Sequence, residues 1–168
     1  MYKKVALMIA MSGVAVMPAA AITKAQEASI VDHCETVKEN LKNVQRADAR
    51  ARVYVGGRYE TILSEFVTPL NLWLVENNMS RADLIESQNT IAELKRKFAN
   101  EYVDYQQGLE QLVATDCKTQ VPAFYDKLVQ VRTKRKKVEK DMSRMSEALE
   151  EYKVRVGKLK EAIGDKTK

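Results

Sequence analysis

The sequence predicts an all-α fold: three long helices in an antiparallel, coiled-coil-like bundle, with the first hairpin clamped by one disulfide. Only three prolines and six glycines punctuate 168 residues. Apolar side chains recur at alternating spacings of three and four, most cleanly in the last third, and no segment alternates as a half-buried strand would. Cys34 and Cys117 fall at the start of the first predicted helix and the end of the second, so antiparallel packing brings them together.

The chain opens with a basic start, Tyr2-Lys3-Lys4, followed by an apolar run from Val5 to Met17 and then Pro18-Ala19-Ala20-Ala21. This is the tripartite form of a secretory signal. About 13 apolar residues fall short of the roughly 20 needed to span a bilayer, so residues 1–21 read as a cleaved signal peptide, cut after Ala21 or, second, after Ala25. Cys34 follows Val31-Asp32-His33, which is not a lipid-attachment sequence, so no stable membrane anchor is expected after cleavage. Residues 22–168 are expected to form one helical domain, exported to the cell envelope or beyond.

The first helix is expected over about 32–75. Its stripe runs through Ile30, Cys34, Val37, Leu41, Val44, Ala51, Val55, Tyr59, Ile62 and Phe66. The spacing changes to four and four at Ala51-Val55-Tyr59, where Gly56-Gly57 predicts a bend or close helix approach, with a full break as the alternative. Pro69 lacks a backbone donor and crowds the carbonyl four residues earlier, which predicts a kink one turn upstream.

The second helix is expected over about 80–116, opening with Ser80 as N-cap and Asp83 against the positive end of the helix dipole. Its stripe is Leu84, Ile91, Phe98, Tyr102, Tyr105, Leu109 and Leu112. The third, over about 122–163, starts with Pro122 in its first turn. Its repeat runs through Phe124, Leu128, Val131, Arg135, Val138, Met142, Met145, Leu149, Tyr152, Val156, Leu159 and Ile163. Residues 164–168 read as a disordered tail.

In an exported chain with two thiols and no CxxC spacing, an intramolecular Cys34–Cys117 disulfide is the expected state, against intermolecular bridging or a redox role. It also acts as a ruler. With Cys34, Cys117 and Phe124 near one level, about 14 residues down the first helix and about 11 down the third, at the depth of Tyr102 and Tyr105, one of whose hydroxyls can join them, lie Asp48 and Arg135, two polar residues in apolar stripe positions. They are expected to form a buried polar pair that sets register, the alternative being Arg135 snorkelling outward along its apolar stem.

Charge is uneven. Residues 22–117 carry 11 basic and 15 acidic side chains, and residues 118–168 carry 15 and 8. The basic run Lys134-Arg135-Lys136-Lys137 spreads around a helix without interleaved aromatics, so it reads as a solvated face partly answering the acidic hairpin, with nucleic acid not expected as a partner. The segment from Phe66 to Val75 is apolar on more than one helical face, more than a three-helix bundle buries. Phe66, Leu70, Leu72, Trp73 and Leu74 therefore form a candidate interaction tip, or else a filled cap closed by Leu84, Ile85, Leu159 and Ile163.

No catalytic, cofactor or metal constellation is present in the pattern. His33 is the only histidine, beside a cysteine expected in a disulfide, and Gly56-Gly57 lacks the setting of a phosphate loop. No enzyme activity is expected.

Cys34-Glu35, Arg58-Tyr59-Glu60-Thr61-Ile62-Leu63, Pro69-Leu70-Asn71, Asp116-Cys117 and Phe124-Tyr125-Asp126-Lys127-Leu128-Val129 together resemble an uncharacterised family of small exported helical proteins of Saccharibacteria and related candidate-phyla bacteria. The resemblance implies export and a paired-cysteine helical fold, and carries no activity. In size, basic charge and long helices the chain is also similar to periplasmic holdase chaperones of the Skp type, without their strand segments. Two functions are expected on this reading. One is a structural or interaction module that binds an envelope or partner-cell protein through its helical surface or apolar tip, with homo-oligomers possible. The other is a holdase for exported proteins.

Overall fold

The computed structural model describes residues 22–79 and 81–165; the expected signal peptide, the Ser80 cap and residues 166–168 lie outside them. The described residues are helical with short turns and contain no strand. In chain order they form α1 (Lys24–Asp32), α2 (Cys34–Thr61), a π-helical turn (Ile62–Val67), α3 (Thr68–Glu76), α4 (Ala82–Ala114) and α5 (Val121–Asp165).

The single first helix expected over 32–75 is thus divided. It begins earlier, because Thr23 and Gln26 form a reciprocal capping box that starts α1 at Lys24. His33 (φ −108°, ψ 15°) interrupts the ladder before Cys34. Gly56-Gly57 neither breaks nor bends α2 out of helix, and the expected close approach is absent: a Cβ at either position would meet nothing within 4 Å. The disturbance expected upstream of Pro69 takes the form of the π turn. Thr68 N–H donates to the Leu63 carbonyl, five residues back, in a stretch where a regular ladder would need the donor that Pro69 lacks.

α4 opens at Ala82, with Arg81 extended at its N-cap and holding Asp83 through two hydrogen bonds of 3.0 Å. α5 continues past the expected boundary at 163, through Gly164 to Asp165.

α4 and α5 share the main interface. Its cross-links pair rising positions on α5 with falling positions on α4. Lys127 donates to Thr115, Lys134 to Asp104 (2.7 Å) and Lys97 to Asp141 (2.8 Å), while Arg155 reaches the Asp83 carbonyl. Leu84, Ile91, Leu109, Leu112, Phe124 and Met145 are fully buried along the core that this interface shares. α2 meets α4 more sparsely and makes no close backbone approach to α5 among the described residues. The tightest pairing is therefore α4 with α5. What ties α2 on is the Cys34–Cys117 disulfide (Cα–Cα 5.6 Å), polar links along its length, and the π turn and α3 beyond it.

Candidate functional site

Two places combine unusual chemistry with position. The first is midway along α2. Asp48 Oδ2 accepts from Arg135 Nε (2.8 Å) and from the Tyr105 hydroxyl (2.7 Å), and Asp48 Oδ1 accepts from Arg135 Nη2 at 3.1 Å. The structure thus brings together both residues of the expected pair, and of the two tyrosines at that depth it is Tyr105 whose hydroxyl joins them. It corrects their burial. The Asp48 side chain is 18% exposed, but that of Arg135 is 47% exposed and also meets Glu139 at 3.4 Å. The pair closes the rim of the helix interface, with Arg135 half in solvent, where α2 makes no close backbone approach to α5.

The electrostatics follow from this contact set. Partial burial of Asp48 pulls its pKa up, but hydrogen bonds from Arg135 and Tyr105 outweigh it and hold the carboxyl below the ordinary aspartate value. Burial, then the bond to Asp48, pushes the Tyr105 hydroxyl well above the usual tyrosine range. The Asp48 bond likewise raises Arg135. Tyr102, beside this cluster, stacks under the Arg52 guanidinium, 5.3 Å from the ring centre. The lowered Asp48 and the raised Tyr105 and Arg135 keep a carboxylate, a neutral phenol and a guanidinium facing one another near neutral pH, which suits a structural tie.

The second place is the π turn with α3. Val67, Asn71 and Leu74 point inward and are buried. At about 100° per residue the opposite side of α3 carries Pro69, Leu72, Trp73 and Glu76. Phe66 and Trp73 are 65% and 49% exposed, and Leu72 and Val75 are also open to solvent. Of the expected tip residues, Phe66, Leu72 and Trp73 are outward, Leu70 is half-buried, and Leu74 belongs to the core. Leu84 and Leu159 are buried, whereas Ile85 remains exposed, so the expected cap fills the inner side only.

A buried polar network, not foreseen in the sequence, fixes that inner side. Asn71 Nδ2 donates to Gln88 Oε1 (2.7 Å) and to the Leu84 carbonyl (3.3 Å). Gln88 donates to the Thr68 hydroxyl, and the Tyr152 hydroxyl reaches Asn71 Oδ1 and the Val67 carbonyl. Three elements are pinned by one asparagine, and the only clue was a polar residue inside an apolar segment. Asp141 was missed as well. Its side chain is 1% exposed, Oδ1 takes the bond from Lys97, and Oδ2 has no hydrogen-bond partner.

Among the described residues no group of three His, Cys, Asp or Glu is placed to hold a metal, and no helix is long and apolar enough to cross a membrane. His33 is exposed, with Nδ1 3.0 Å from the Ser29 carbonyl. The disulfide is compatible with an oxidising compartment outside the cytoplasm. No protein-family model, curated protein or solved structure matches the chain.

Proposed function

We propose that this is a non-enzymatic, exported interaction protein: an antiparallel bundle of three helical strands that presents the outer face of the π turn and α3 to a protein partner. The single observation that supports this reading is the outward set Phe66, Leu72, Trp73 and Val75, exposed on a short helix whose inner side is locked by Asn71. Large aromatic side chains held rigid at a surface lose little entropy on binding and are typical binding hot spots. π turns within helices occur often at functional sites. The segment Ile62 to Asn77 contains Glu65 and Glu76 but no lysine or arginine, so the partner surface that suits it is apolar at its centre with a basic rim.

The test is crosslinking capture on intact cells with the native chain and with Phe66→Ser/Trp73→Ser. One saturable partner, lost in the double variant while helix content by circular dichroism is unchanged, is the expected result. Equal capture by both chains overturns the reading. Stoichiometric suppression of client aggregation without a saturable partner supports the holdase instead.

A further inference from the structure

Two adjoining clefts between α2 and its neighbours share Arg52 and Phe98. The first, of about 170 Å³, has an apolar floor that includes Ala51, Phe98, Val138 and Met142 and a charged rim of Asp48, Arg135 and Glu139, which are paired with one another. The second, of about 270 Å³, is lined by Arg52, Lys95, Gly56, Gly57, Val53 and Ala99, with no acidic side chain among them. The clefts exist because α2 packs sparsely on α4 and makes no close backbone approach to α5, and because glycines 56 and 57 leave space that a side chain would occupy. Their charges are unequal. Arg135 is held by Asp48, and Lys95 by Glu60, but Arg52 has no carboxylate at ion-pair distance among the described residues and instead lies over the Tyr102 ring. A stacked guanidinium keeps its edge donors free for an anion.

We propose that this groove binds a single-chain anionic amphiphile, with its carboxylate on Arg52 above the Gly56-Gly57 backbone and its apolar chain over Ala51, Phe98, Val138 and Met142. From Asp48 to Gly57 the groove follows α2 for about 13 Å at 1.5 Å per residue, the reach of a medium-length acyl chain. The charge complementarity selects the head, and the apolar floor selects the tail. This site is separate from the α3 face and uses none of its residues.

The experiment is calorimetric titration of the full chain with decanoate below its micelle concentration, alongside decanol and decyltrimethylammonium. Saturable binding of decanoate, weaker binding of decanol and none of the cation are expected. Arg52→Ala is expected to weaken decanoate about tenfold, the loss of one charged hydrogen bond. Gly56→Leu/Gly57→Leu is expected to abolish binding; the added side chains enter open space and improve helix propensity, so the fold is retained. Failure of decanoate to bind, equal affinity for decanol, or undiminished binding by the glycine variant overturns the proposal.

Discussion

Asp48 and Arg135, 87 residues apart in sequence, meet through two hydrogen bonds while Tyr105 closes the third side of the carboxylate. α2, α4 and α5 each contribute one of the three residues. This is the only hydrogen-bonded link from α2 to α5 found among the described residues, and it lies between two helices whose backbones make no close approach.

Replacing Asp48 by Ala removes three bonds from a rim position and is expected to cost about 1–2 kcal/mol, above a fully exposed ion pair and below a buried one. Tyr105→Phe is expected to cost about 1 kcal/mol. Urea unfolding of the single and double variants measures both, and because the two residues share a bond the double variant is expected to lose less than the sum.

The same carboxylate shapes the acid response. Its pKa is lowered in the folded state, so its contribution is complete above the ordinary aspartate pKa of about 3.9 and is lost as pH falls through the lower folded value. Unfolding free energy measured from pH 6 down to pH 2 is expected to fall less steeply for Asp48→Asn than for the native chain. The two curves converge at the acid end.

Lys97 and Asp141 are expected to respond asymmetrically. Lys97→Met leaves a buried carboxylate with no partner and is expected to destabilise by about 3 kcal/mol. Asp141→Leu removes a buried charge with one oxygen already unbonded and leaves Lys97, half in solvent, free to hydrate, so its effect is expected to be neutral or stabilising. Thermal denaturation of the two variants distinguishes them by sign.

The disulfide spans 83 residues and ties the start of α2 to the end of the tightest pair. Chain entropy puts the expected loss for Cys34→Ala/Cys117→Ala at about 2–4 kcal/mol. Amide exchange is expected to quicken first in α1 and in the first turns of α2, and last in α4 between Ile91 and Leu109.

The features legible beforehand were those that break a pattern. Cys34 and Cys117 stood at helix ends, and Asp48 and Arg135 stood as polar residues in apolar stripes. Asp141 stayed hidden because Met142 beside it satisfied the stripe, whereas the α4–α5 interface is wider than one stripe and buries Asp141 and Ala148 too. Leu74 was misplaced for a different reason. Which side of α3 faces inward depends on the angular phase after the π turn, and Pro69 announces a disturbance without stating its size. The division of the first helix at His33 depends on backbone angles that its neighbours do not encode in hydrophobic spacing.

That phase has a genetic meaning. A π turn accommodates one residue more than the α-helix it interrupts, so everything downstream keeps the bearing it would have on a plain helix one residue shorter. A single-codon deletion between Ile62 and Val67 would restore a plain helix and leave Trp73 on its present bearing, whereas a deletion in a stretch with no π turn would swing all that follows by about 100°. The turn is where this chain can lose a codon without altering what the outside of the molecule displays.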